Sequence, residues 1–285
     1  MKFPKRITST VEIPMLLSIK HTTTYRYDAI ARYAIESLRL TPPSFDGQKV
    51  VSWQVSAPGI ESAAKFHDGF GNLVYLTVLQ GEHDSITIEA CGVVETQDRI
   101  GVAKGLIEPA PMRVFLRETP RTAPDDAIRE LTAKCKGGCT LDKLHLLMHS
   151  VRDAVTYEVG TTHSHTSAAE ALADGRGVCQ DYAHIFISGA RVMGLPARYV
   201  NGYFLSGTPD PSDAHHAWAE AWVEGLGWVG FDPANLICPT ERYVRLATGL
   251  DAATAAPIRG NRRGGQNETL DVVVEVQQQG AQQQQ

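Results

Sequence analysis

The sequence predicts an α+β fold in two parts: a β-sandwich-like N-terminal domain, then a core of helices packed on an antiparallel sheet. Three observations point to it. Residues 12–98 hold short alternating segments rich in β-branched and aromatic residues, divided by Gly, Pro, Asn and Asp. Residues 123–276 show helical periodicity first and strand patterns afterwards. No strand–helix–strand alternation intervenes, which argues against a parallel sheet.

In the first part, "MLLSIKHTTTYRY", "YAIESLRL", "KVVSWQVSA", "NLVYLTVLQ" and "SITIEACGVVET" read as strands. "TPPSFDG", "APG", "HDGFGN" and "QGEHD" supply the turn chemistry between them. Residues 99–122 form a Pro-containing linker. "PDDAIRELTAKCKGG" then begins with Pro and two acids and ends in a Gly pair, the punctuation of a helix. "TLDKLHLLMHSVRDAVTY" is a second helix, with Leu144, Leu147, Met148 and Val151 at helical spacing. "SAAEALADGRG" is a short third. "VCQDYAHIFISGARVMGLP" is a fourth, its apolar stripe running from Tyr182 and Ala183 to Met193. "ARYVNGYFL", "HAWAEAWV", "GWVGFD" and "TLDVVVEV" follow as strands. The Gln-rich residues 277–285 have nothing to bury and are expected to be disordered.

Composition narrows the function. The 285 residues are 43% hydrophobic and 21% charged, with a net charge of -5. There is no basic excess to attract a phosphate backbone, so nucleic acid is not the expected partner. No run reaches the ~18 apolar residues of a spanning helix, so no membrane partner is expected. Five scattered cysteines make no disulfide framework, and a reducing, cytoplasmic location follows as an expectation.

The chemistry concentrates in two stretches. Cys179, in "GRGVCQDYAHIF", falls in the first turn of the fourth helix, where unpaired N–H groups favour an anion. A packing cysteine is the alternative there. A nucleophilic thiol needs a histidine, and the histidine needs an orienting group. On "HAWAEAWV" one strand face carries His216, Trp218, Glu220 and Trp222, and the other Ala217, Ala219, Ala221 and Val223. The small face suits a helix; the other gathers polar and aromatic groups. Asp232 ends the returning strand. His216 and Asp232 share a face only if the connection between Val223 and Trp228 is odd in length or bulged.

These motifs, with "SIKHTTTYRYDAIARYAIESLRLTPP" and "HDGFGNLVYL" upstream, resemble the bacterial transglutaminase-like superfamily, whose members are often labelled cysteine proteases. The resemblance covers nearly the whole chain outside the glutamine tail. It implies a papain-like core with Cys179 as nucleophile, His216 as its base and Asp232 as the orienting acid. It also implies a thioester intermediate resolved by water, as in a peptidase or amidase, or by an amine, as in a transglutaminase. A catalytically silent binding module on the same fold is the third reading. The Cys179 backbone N–H is a natural oxyanion donor. Gln180, Trp218 and Glu220 are candidate substrate or oxyanion contacts, and for Glu220 a structural hydrogen bond is an equal alternative. A peptide or protein is the expected substrate. The chain departs from the family at "GLDA", Gly249–Ala252, where Gly-Arg-Asp-Tyr is usual. Cys135, Cys139, His145 and His149 lack the usual zinc spacing, and no calcium or phosphate loop is visible, so neither metal nor cofactor is expected.

Overall fold

In a computed structural model, the structure describes residues 14–207 and 214–280, and the fold is given for these. The N-terminal region is one six-stranded antiparallel sheet. Its spine is β1 (Met15–Leu38) and β4 (Leu73–Thr96), each 24 residues long, paired from Met15 opposite Thr96 to Leu38 opposite Tyr75. Each of these joins two segments that the sequence divides. "QGEHD" is therefore no hairpin turn. Register shifts between Arg26 and Ala31 and between Ala31 and Tyr33 absorb the extra residues as bulges, and Gly81 bends β4 at φ 104°.

β2 (Gln48–Ser56) and β3 (Ala64–His67) flank β4. On the other side, β12 (Ile258–Gly264) and β13 (Glu268–Gln278) flank β1. The chain thus returns to the first sheet at its end, and residues 258–276 belong there rather than to the core. The expected disorder of 277–285 also starts too early. Gln277 and Gln278 pair with Ser18 and Leu17, since backbone pairing does not require an apolar side chain. Residues 281–285 lie outside the described residues.

The core sheet has the order β11 (Tyr243–Gly249), β8 (Ala197–Phe204), β9 (His215–Val223), β10 (Gly227–Phe231), β5 (Val102–Ala103). A small parallel pair, β6 (Thr156–Tyr157) and β7 (Arg176–Gly177), stands apart. Four helices cover one face: α1 (Asp126–Ala133), α2 (Thr140–Ala154), α3 (Ala168–Asp174) and α4 (Cys179–Val192). Asp125 caps α1 by accepting from Ile128 N–H, and Ser167 caps α3 by accepting from Glu170 N–H.

α4 lies in the middle, buried from Asp181 to Arg191 on every side and not only along the expected stripe. β9 covers it with Ala217, Ala219, Ala221 and Val223, while α1, α2 and α3 cover the rest. The alanine face lets the helix approach closely. A Cβ at Gly189 would lie 2.9 Å from Leu147 Cδ1, so a larger residue there would have to displace the buried Leu147 side chain. Arg191 ties the ends together: its buried guanidinium donates to Phe115 O, Thr122 Oγ1, Ala197 O and Leu250 O.

β11 is a sheet edge, and the N-terminal region closes it with side-chain amides. Gln48 accepts from Arg245 N–H at 2.7 Å and donates to Arg245 C=O at 2.9 Å. Asn72 does the same for Thr248, at 2.8 Å in both directions. Each amide replaces a missing strand residue at a buried edge. Among the described residues, no helix is long and apolar enough to cross a membrane.

Candidate active site

The β9–β10 connection settles the geometry. Gly227 pairs with Val223, leaving the three residues Glu224, Gly225 and Leu226 between them. Gly225 and Gly227 turn at φ 84° and 94°, values that favour glycine. The odd connection meets the register condition, and His216 Nε2 lies 2.7 Å from Asp232 Oδ2.

Asp232 is fully buried and heavily supported. Its Oδ2 accepts from His216, from Tyr243 OH at 2.7 Å and from Asn235 Nδ2 at 2.8 Å. Its Oδ1 accepts from the backbone N–H groups of Ala234 at 3.0 Å and Asn235 at 3.3 Å, closing the turn around Pro233. Burial alone would raise this carboxyl's pKa; the hydrogen bond and charge of His216 and the hydroxyl and amide donors outweigh it and hold the pKa below its usual value.

Cys179 is half-buried and is the first helical residue of α4. It lies close enough to His216 for its charge to act on the imidazole. With Nε2 given to Asp232, Nδ1 is the ring nitrogen left for the thiol. Burial opposes a charged imidazole here, yet the Cys179 charge and Asp232 overcome it and raise His216 to about 10. The imidazolium is therefore the favoured form of His216.

Asp181 builds the entry to α4. Its Oδ2 accepts from Val178 N–H at 2.8 Å and Thr162 Oγ1 at 2.7 Å. A Cβ at Gly177 would meet that carboxylate oxygen at 2.7 Å, so this glycine admits Asp181 to the turn before Cys179. Gln180 lies half-buried in the same helical turn.

An open cleft of about 520 Å³ reaches His216, lined also by Arg152, Phe204, Asn235 and Arg242. Two candidate contacts are corrected by their surroundings. Glu220 is buried, its two oxygens accept from Arg198 and Arg245, and it does not line the cleft at His216. Trp218 is buried against Val200, Phe204 and Tyr243 and forms the floor behind His216. Gly249–Ala252 does not line this cleft. Instead Ala252 N–H donates to His184 Nε2 at 3.0 Å, supporting α4 from behind. Cys135 is buried beside Leu131 C=O and Cys139 is exposed. Among the described residues, no three His, Cys, Asp or Glu side chains are grouped to hold a metal ion.

Sequence reasoning missed Tyr243 and Asn235. Asn235 had a signal, since Asp-Pro-Ala-Asn is a turn whose ends meet. Tyr243 had none, because its strand carries Arg245 and Thr248 amid apolar residues and shows no clean alternation.

Residues 125–233 match the transglutaminase-like superfamily, and residues 17–95 match the bacterial transglutaminase-like N-terminal region. An uncharacterized Mycobacterium leprae protein is 31% identical over 91% of this chain and 98% of its own length. A stretch covering 28% of this chain is 33% identical to a protein-glutamine gamma-glutamyltransferase of Pseudomonas aeruginosa, covering 12% of that protein. The crystal structure of a candidate cysteine protease from Cytophaga hutchinsonii superposes with a TM-score of 0.74 at 25% identity, over 94% of this chain and 92% of that one. The chain belongs to the transglutaminase-like superfamily.

Proposed function

We propose that the protein is a thiol-dependent hydrolase of amide bonds in peptides or proteins, acting through a thioester acyl-enzyme. The observation that supports this best is His216 held between buried Asp232 and Cys179 at the start of α4. In this reading the Cys179 sulfur attacks the amide carbon, and the carbonyl electrons move to oxygen. The Cys179 backbone N–H, free of an intrahelical acceptor, donates to that oxyanion. The His216 imidazolium then gives its Nδ1 proton to the departing nitrogen, and the C–N bond breaks. Neutral His216 next takes a proton from water, whose oxygen attacks the thioester and releases the acid and the thiolate. Asp232 fixes the imidazole throughout. No cofactor enters the scheme. The thiol must stay reduced, all five cysteines are free, and we place the protein in the cytoplasm.

Acyl transfer to an amine is the second reading, favoured by the stretch similar to a glutamyltransferase. Hydrolysis is preferred because the candidate protease matches nearly the whole chain and the cleft is open to water. Mass spectrometry of a glutamine-containing peptide library, incubated with and without a primary amine, separates the two. Acid products with few amine adducts are expected; adducts in excess would establish the transferase. No product of either kind, with Cys179 freely alkylated, would leave the silent binding module.

A further inference from the structure

Between the core and the N-terminal sheet lies a second cavity, of about 190 Å³. Its wall joins Thr41, His67 and Asn72 to Arg198 and Arg245, and it shares no lining residue with the cleft at His216. The Arg198 side chain is buried, with 1% of the residue exposed. Its Nε donates to Glu220 at 2.6 Å and its Nη1 to Glu108 at 2.9 Å, while its Nη2 has no partner. Thr41 Oγ1 is likewise buried without a partner.

The two acids that answer these arginines are unevenly placed. Arg198 and Arg245 converge on a single fully buried carboxylate, Glu220, and the other acid, Glu108, has a 25% exposed side chain. None of the cavity's lining residues is acidic. An unpaired guanidinium N–H away from bulk water is costly, and a planar guanidinium edge suits a small oxyanion. We propose that this cavity binds a small oxyanion, a carboxylate or a phosphate, through Arg198 Nη2, Arg245 and the Thr41 hydroxyl.

Isothermal titration of the full chain with succinate and with inorganic phosphate, against chloride at equal ionic strength, tests this. Saturable heat is expected with at least one of the two anions and none with chloride, and the anion that binds identifies the source. Thr41→Val should weaken binding about tenfold through loss of a charge-assisted hydrogen bond. His67 is exposed on β3, so its variants disturb the fold little. His67→Glu should weaken binding about threefold and His67→Arg strengthen it similarly. Absence of saturable heat with both anions, which leaves water as the occupant, overturns the proposal. So does binding that ignores Thr41→Val and both His67 variants.

Discussion

Two buried polar clusters sit on one face of the core sheet, and β9 contributes to both. At Glu220 the carboxylate is consumed: Arg198 and Arg245 take both oxygens, and Trp228 stacks 3.8 Å from the Arg198 guanidinium. At Asp232 the carboxylate is just as fully bonded, but one of its donors is an imidazole with a second nitrogen to offer. His216 lines an open cleft and feels the charge of Cys179 nearby. Four residues of one strand therefore separate a cluster that holds the fold from one arranged for chemistry. Burial and pairing do not distinguish them. What distinguishes them is an imidazole that lines the open cleft within reach of a thiol.

Substitutions should divide along this line. Cys179→Ala and His216→Ala should each lower amide turnover by at least about 10³-fold, and Asp232→Asn by a comparable factor, with the folded state kept. Steady-state rates alongside near-UV circular dichroism check this. Glu220→Gln should do the reverse. Leaving two buried guanidiniums without their carboxylate should cost about 3–5 kcal/mol in urea denaturation, while turnover per folded molecule stays near normal. If Glu220→Gln instead abolished turnover in a stable protein, the two clusters would not be separate in role.

Tyr243→Phe is a finer test, because Tyr243 lies on the same strand as Arg245 but donates to Asp232. Loss of that hydrogen bond should lower turnover about tenfold. It should also raise the pH at which His216 deprotonates, because Asp232 Oδ2 loses a donor that shares its charge with His216, a shift that general destabilisation would not produce. The smallest effect concerns pH and stability. Burial works against the His216 charge, but the Cys179 charge and Asp232 hold it near 10, above its ordinary 6.5. Its stabilising contribution is thus complete below about pH 6.5 and is lost as pH rises through about 10. Cys179→Ser removes the largest raising influence and should flatten that loss in denaturation midpoints measured across the window.

Much of this was legible before the fold was known, for identifiable reasons. Alternation on β9 showed which face would meet α4 and which would hold His216, because a strand's period is fixed. The parity of the β9–β10 connection could be stated as a condition, although its length could not be read. Local patterning failed where the partner was remote. β13 looks like a core strand until β1 is seen to claim it from more than 200 residues away. Glu220 looked available because neither Arg198 nor Arg245 advertises its direction in sequence. Gln48 and Asn72 are ordinary turn-flanking amides until β11 offers them an open edge.

The most direct test is the rate of iodoacetamide alkylation at each cysteine near neutral pH, followed by peptide mass spectrometry. Cys91 and Cys139 are exposed and serve as internal references for the half-buried Cys179. Despite its lower exposure, Cys179 should react fastest in the native protein and fall to or below the reference rates in His216→Ala. A Cys179 that reacts no faster than Cys91 and Cys139, or that is indifferent to His216, would contradict the assignment of this site as a thiolate nucleophile.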